Sequence, residues 1–259
     1  MPELPDLQAF RHNLERKLLH QQLKTITVKN SKKLAVAEKT LQSALEGQKL
    51  KEIQRVGKEL HFVFQNGHVL GMHLMLHGKL YFFEQQNKEK YTIAELLFSN
   101  GTGLAITDFQ GSANIALDPA EKTAPDALSD DFNESYLKTQ LSKKKIGIKK
   151  FLLDQKQVLG IGNAYADDIL WYARISPFSI CNKIPAAKVK VLLSAIKHIL
   201  REAEKKILKS NPDIIHGEVR DFMLVHNAKL KESPGGAVIH KDTGGGRKTY
   251  YTDEQELFE

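Results

Sequence analysis

Thiols are almost absent from this chain. Cys181 is the single cysteine in 259 residues, so no disulfide can form within the chain and no thiolate cluster can hold zinc, which fits a reducing compartment. Long apolar runs are missing too. No stretch approaches the roughly 20 residues of a membrane-spanning helix, and the start lacks the basic-then-apolar profile of a signal peptide. A soluble cytoplasmic protein with no membrane association is the expectation. There are no internal repeats and no low-complexity tail. Acidic charge is in deficit: 31 Asp and Glu against 38 Lys and Arg leave a formal charge of +7, a balance that suits a polyanionic partner. Lys143, Lys144 and Lys145 lie close to Lys149 and Lys150, and Lys205, Lys206 and Lys209 add to the basic character.

What is present begins at the first residue. The chain opens Met1-Pro2-Glu3-Leu4-Pro5-Asp6. With Met1 trimmed, Pro2 becomes a terminal secondary amine. An α-amino group has a pKa of about 7.7–8.0 against about 10.4 for lysine, so roughly a tenth of it is neutral at pH 7. A secondary amine that attacks a sugar carbonyl carbon gives a cationic iminium, an electron sink for elimination. Glu3 then stands one residue away as proton donor and acceptor. On these six residues alone, prolines that merely stiffen a terminus before a helix are the stronger reading.

The pattern along the chain implies an α+β fold. Leu7, Phe10, Leu14 and Leu18 predict an amphipathic helix over 4–19. Short alternating runs follow at 26–28, 60–64, 69–76, 79–83, 93–98 and 104–107, with a helix predicted over 35–48. Asn66-Gly67 and Asn100-Gly101 are hairpin signals. Residues 1–118 therefore read as a β-sandwich-like domain with an N-terminal helix, and 119–132 as a linker. Residues 133–222 carry the helical period, with helices at 136–141, 148–153, 163–174 and 186–208. Residues 223–259 return to short strands and glycines.

Leu152 to Asp168 holds the second strong signal. A helix predicted to end near Val158, the turn Gly160-Ile161-Gly162 and Asn163 as the cap of the next helix make a helix–turn–helix unit. Its backbone N–H groups and positive helix end suit a phosphate.

Here the chain resembles the formamidopyrimidine-DNA glycosylase and endonuclease VIII family of base-excision repair enzymes, over nearly its whole length. The resemblance rests on Met1-Pro2-Glu3-Leu4-Pro5, on Gly57-Lys58 before the Leu60–Phe64 run, and on Pro125-Asp126-Ala127-Leu128. It rests further on Leu153-Asp154-Gln155 through Asn163 with Tyr165-Ala166-Asp167, and on Gly245-Gly246-Arg247-Lys248-Thr249-Tyr250-Tyr251. It implies a helix–two-turn–helix domain ending in a β-hairpin finger, and a DNA glycosylase with abasic-site lyase activity that needs no cofactor. The implied partner is double-stranded DNA with a damaged base or abasic site, bound by a monomer. Pro2 would attack C1′ of the flipped-out nucleotide, Glu3 would shuttle protons, and Lys58 would hold the adjacent phosphate. Gly162, Asn163, Arg247 and Lys248 would bind the flanking backbone.

The chain also departs from that family. The finger usually carries four cysteines on zinc, and here Ser233-Pro234-Gly235-Gly236 and Thr252-Asp253-Glu254-Gln255 stand in their place. None supplies a sulfur site, so the expectation is a zincless finger held by packing of Val238, Tyr250 and Tyr251, with His226 and His240 as ordinary polar residues. The formamidopyrimidine branch fills the space of the flipped base with a methionine, an arginine and a phenylalanine. Here Leu76 takes the methionine's place and Phe109-Gln110-Gly111-Ser112-Ala113 replaces the loop, leaving Phe109 or Gln110 as the wedge. Asp6 replaces a glutamate of the opening motif and is one carbon shorter, so it is a candidate for altered lesion contacts. Arg220-Asp221-Phe222 runs at once into Leu224-Val225-His226, too short for the loop that covers an oxidised purine. Oxidised pyrimidines or abasic sites are therefore expected ahead of 8-oxoguanine. The alternative function is a damaged-DNA-binding protein of the same fold that has lost base excision.

Overall fold

Glu3 and Asp6 start the first helix together. The Asp6 carboxylate accepts from the Glu3 backbone N–H at 2.8 Å, while the Glu3 side chain accepts from the backbone N–H of Asp6. This reciprocal cap satisfies two donors that a helix start leaves open, and Pro5 sits in the first turn, where its missing N–H costs nothing. In the computed structural model, which describes every residue except Lys32, Lys33, Ala35 and Gly245, helix α1 then runs Leu4–Leu18. Leu7, Phe10, Leu14 and Leu18 are all buried on its inner face.

That face covers a sandwich of two antiparallel sheets. One has the order β1 (Leu23–Val28), β6 (Thr92–Phe98), β7 (Thr102–Thr107), β5 (Lys79–Glu84). The other runs β2 (Leu50–Val56), β3 (Glu59–Phe64), β4 (Val69–His73), β8 (Asn114–Leu117). Leu96, Leu104 and Ile106 from the first sheet and Phe62, Leu70 and Met72 from the second belong to one buried core. The hairpins at Asn66-Gly67 and Asn100-Gly101 form as the sequence implies, each glycine at positive φ.

Two strands escape the sequence pattern. In β2 only Leu50, Ile53 and Val56 are apolar, and a register shift near its start breaks the alternation. β8 is a short edge strand. The run expected to continue to Leu76 stops at His73, where the chain turns sharply. Helix α2 spans Glu38–Leu45, inside the expected 35–48, with Ala35 outside the described residues.

The chain divides into two compact units, Met1–Glu121 with Ile207–Glu218, and Lys122–Lys206 with Val219–Glu259. The expected linker is thus largely part of the second unit. Its Pro125-Asp126-Ala127 segment pairs with Leu159, through Leu159 N–H to Pro125 O at 2.9 Å and Ala127 N–H to Leu159 O at 3.1 Å. The second unit contains α3 (Glu134–Ser142), α4 (Ile148–Leu153), α5 (Asn163–Tyr172) and most of α6 (Ala186–Ser210). It also carries the hairpin of β9 (His240–Asp242) and β10 (Thr249–Tyr251). Residues 207–218 cluster with the first unit rather than with the helices. No helix among the described residues is long and apolar enough to cross a membrane.

Candidate catalytic terminus and nucleic-acid interface

In the first unit Pro2 is buried and Glu3 is only 5% exposed. The cap described above fixes the Glu3 carboxylate against the first turn of α1, one residue from the Pro2 nitrogen. Asp6 reaches its partner despite its shorter side chain. It is fully buried and serves the cap, so it has no face for a lesion.

Lys58 lies in a turn rather than on a strand. Val56 and Glu59 pair across the β2–β3 hairpin, leaving Gly57-Lys58 as its two-residue loop. Gly57 has φ of 59°, which a side chain would strain. Arg55 braces this loop, with Nε donating to Gln8 Oε1 of α1 at 3.0 Å and a guanidinium N–H donating to Gly57 O at 3.1 Å. Arg55 therefore ties the Lys58 turn to the helix that carries Pro2 and Glu3. Its place in a strand too polar to recognise kept that link out of the sequence reading.

Two further loops of this unit present apolar side chains. Leu76 is 59% exposed and Phe109 is 60% exposed, and the Phe109 ring leans on His77 at 4.6 Å between centroids. Neither loop is slack. Gly78 N–H donates to Leu74 O at 2.8 Å, and a Cβ on Gly78 would lie 2.2 Å from that oxygen. Asp108 accepts from the backbone N–H groups of Gln110, Ser112 and Ala113 at 2.7–2.9 Å. Burial alone would raise its pKa, but those donors and His77 hold it below the usual carboxylate range. Gln110 is exposed beside Phe109.

In the second unit α4 spans Ile148–Leu153, the span expected from its helical period, and does not continue to Val158 because the chain turns at Asp154 and again at Gly160. Gln155 straps both turns, donating to Leu153 O and Ile161 O and accepting from Gly160 N–H at 2.9 Å. The cap of α5 is Gly162, in extended conformation, and not Asn163. Asn163 is the first helical residue, and its Nδ2 donates to Lys248 O at 2.9 Å, while Oδ1 is buried with no hydrogen-bond partner.

A buried ion pair explains why Lys248 is at that spot. Lys149 Nζ of α4 stands 2.7 Å from Asp167 Oδ1 of α5 and donates to Thr249 Oγ1 at 2.9 Å and Lys248 O at 3.1 Å. Asp167 Oδ2 takes Tyr250 N–H at 3.0 Å and His226 Nδ1 at 2.6 Å. The strand after Arg247 is thereby fastened to both α4 and α5. Arg247 and Lys248 themselves are exposed, and Arg247, Lys149 and Lys150 line an open groove of about 640 Å³. Asp168 accepts from the N–H groups of Leu224, Val225 and His226 at 2.7–3.0 Å, which pins the short crossing at 222–226 to α5. Burial raises the Asp168 pKa against those donors. Two adjacent acids in the otherwise apolar run Ala164–Trp171 were the sequence signal for this network.

Packing of the finger differs from expectation at one residue. Val238 is 60% exposed, and its neighbour Ile239 instead packs with Tyr250, Trp171 and Val225. Adjacent residues on an extended segment face opposite ways. Tyr251 meets Phe178 edge-on at 5.0 Å. His226 and His240 each face a ring and a carboxylate. The residues do not fit a structural zinc. Cys181 lies outside the hairpin, where burial pushes its thiol up to about 11, and among the described residues no group of three or more His, Cys, Asp and Glu could hold a metal.

Residues 1–115 match the formamidopyrimidine-DNA glycosylase N-terminal domain, and residues 123–211 match the formamidopyrimidine-DNA glycosylase H2TH domain. A formamidopyrimidine-DNA glycosylase of Ligilactobacillus salivarius is 35% identical over 211 residues, which cover 74% of this chain and 73% of that protein. The Lactococcus lactis Fpg solved with DNA containing an oxidised pyrimidine has a TM-score of 0.88 at 27% identity. It covers 98% of this chain and 100% of its own. A point variant of that protein solved with Fapy-dG DNA has a TM-score of 0.87, with the same identity and coverage.

Proposed function

Since the chain belongs to the formamidopyrimidine-DNA glycosylase family, we propose that it excises damaged bases from DNA through Pro2 and then cleaves the strand at the abasic site. The observation that carries this reading is the buried Pro2 beside a Glu3 carboxylate fixed by the first turn of α1. Once Met1 is removed, the Pro2 lone pair forms a bond to C1′, and the bond from C1′ to the base breaks as the base takes up a proton. The sugar ring opens to an iminium. Loss of a proton from C2′ then expels the 3′ phosphate. Glu3 carries protons in these steps, and Lys58 offsets negative charge on the adjacent phosphate.

Asn163, Gly162, Arg247 and Lys248 bind the phosphates around the extruded nucleotide. Leu76 and Phe109 are the apolar wedge, with Phe109 backed by the His77 ring. A wedge offsets the stacking lost when a base leaves the helix. Phe109→Ala is therefore expected to lower cleavage of a duplex abasic substrate by about tenfold, on the scale of one aromatic–base stack. The loss on the same strand without its complement should be smaller, because no stack has to be opened. Equal losses on both would remove Phe109 from the wedge.

The two Lactococcus lactis complexes hold a pyrimidine and a purine-derived lesion, so they do not discriminate between substrates. The short, pinned crossing at 222–226 favours oxidised pyrimidines and abasic sites, because no free loop remains there to fold over a purine. Competitive turnover of duplexes carrying 5-hydroxyuracil, 8-oxoguanine or an abasic site tests this. The expected order puts 8-oxoguanine last, and a strong preference for it would refute the assignment. Tight binding to all three with no strand cleavage would instead favour the damage-binding alternative.

A further inference from the structure

We propose that the Glu254 carboxylate does in this finger what a zinc ion does in its metal-bearing relatives. It gathers the two ends of the finger and holds them on α5, so that the hairpin bearing Arg247 keeps its place. This rests on the reading of Arg247 as a phosphate ligand. Ser233 and Thr252 belong to the two segments that replace the missing cysteines, and both turn their hydroxyls to the same carboxylate oxygen. Ser233 Oγ donates to Glu254 Oε2 at 2.7 Å and Thr252 Oγ1 donates to it at 3.1 Å. Trp171 Nε1, from α5, donates to Oε2 at 2.8 Å, and the Arg174 guanidinium stands 2.7 Å from Oε1. Four groups thus converge on one anion from three parts of the chain.

The surroundings are built around that anion. Ser233 and Thr252 are almost fully buried. Ser233 Oγ also accepts from Gly235 N–H at 3.2 Å and Ala237 N–H at 3.3 Å, closing the turn it starts. A Cβ on Gly235 would lie 2.3 Å from Glu254 Oε1, so the glycine leaves the space that the carboxylate fills. Arg174 lies over the Trp171 ring at 4.7 Å, which orients the cation towards Glu254. Asp253, the neighbouring acid, is directed to His240 instead. Zinc draws its ligands together by coordination. Here a fixed negative charge does so through charge-assisted hydrogen bonds, which are stronger than neutral ones.

The electrostatics agree with this geometry. Burial opposes the charge on Glu254, yet the donors from Ser233, Trp171, Arg174 and Thr252 bring its pKa down to about 2 from an ordinary 4.5. A lowered folded-state pKa contributes stability that is fully present above the unfolded value and is lost as the pH falls through the folded one. The clasp should therefore be complete at neutral pH and weaken between about pH 4.5 and pH 2.

The test measures affinity for a duplex carrying a tetrahydrofuran abasic analogue, using wild type, Glu254→Gln, Arg247→Ala and the double variant. An amide in place of the carboxylate turns an N–H towards donors, and a lost hydrogen bond to a charged group corresponds to roughly tenfold or more. Glu254→Gln should weaken binding by about that factor, while in the Arg247→Ala background it should add little. Equal losses in both backgrounds would overturn the positioning role. If Arg247→Ala alone has no effect, the phosphate-ligand reading fails instead. Wild-type binding should be unchanged after exhaustive chelation with EDTA, and release of stoichiometric zinc with loss of binding would overturn the substitution. Because Glu254→Gln could unfold the finger, melting is followed with pH in wild type and Glu254→Asp. The gap to Glu254→Gln should narrow below pH 4.5, whereas a gap independent of pH would contradict the clasp.

Discussion

Extending the chain by even one residue beyond a processed Pro2 should abolish covalent capture of abasic DNA. In an extended chain the Pro2 nitrogen is an amide, and resonance withdraws its lone pair into the carbonyl, so it can no longer attack C1′. Pro2→Gly is less severe in chemical terms because a terminal primary amine remains. Its loss is positional: glycine removes the ring that fixes φ and fills the buried space before the capped turn of α1. Misplacing a nucleophile by about an ångström costs on the order of a hundredfold. Single-turnover cleavage of an abasic duplex should therefore fall by roughly that factor in Pro2→Gly and to background in the extended chain. Glu3→Gln should also slow turnover and destabilise α1, since the same carboxylate serves both tasks. Helix content by circular dichroism separates the two effects.

The second large effect lies far along the sequence, at Lys149. Lys149→Ala removes the cation from a pair in which Asp167 is fully buried. Breaking one side of such a pair leaves an uncompensated charge and costs about 3–5 kcal/mol. For a chain of this size that corresponds to a fall in melting temperature of roughly 6–20 °C. Lys149→Ala combined with Asp167→Asn should be less damaging than Lys149→Ala alone, because the amide removes the stranded charge and still accepts from Tyr250 N–H. Calorimetry of the two variants decides it, and a double variant less stable than the single one would contradict the account. DNA affinity should fall with Lys149→Ala even at temperatures where the protein is folded, since Lys149 and Asn163 share the Lys248 carbonyl.

Local features of this chain were readable from its sequence, and contacts between distant residues were not. Leu7, Phe10, Leu14 and Leu18 announced α1 because helical period and burial coincide there. Asn66-Gly67 and Asn100-Gly101 announced their hairpins because only certain residues accept those turns. The β2 strand was hidden since most of its residues are polar and a bulge shifts its register. Asn163 looked like a cap by residue type, but Gly162 caps the helix and frees the asparagine side chain for the finger. Arg55, Lys149, Asp167 and Glu254 could not be ranked from the sequence. Their partners lie 47, 18, 83 and 21 positions away, respectively, and only folding brings them together. The missing cysteines were legible, whereas the carboxylate that takes their place was not.

The proposed catalytic residues Pro2, Glu3 and Lys58 sit in the first unit, set by the cap of α1 and an arginine-braced turn. The proposed phosphate-binding residues Asn163 and Arg247 sit in the second unit, where one buried ion pair and one carboxylate clasp fasten the hairpin to α4 and α5. The claim that joins them is that the N-terminal proline itself becomes bonded to the DNA. Borohydride reduction of the protein with an abasic duplex, followed by proteolysis and mass spectrometry of the cross-linked peptide, tests that claim directly. The account predicts a peptide beginning at Pro2 that carries the reduced sugar on its α-nitrogen. A cross-link mapped to Lys58 or to any other lysine, with Pro2 unmodified, would contradict it.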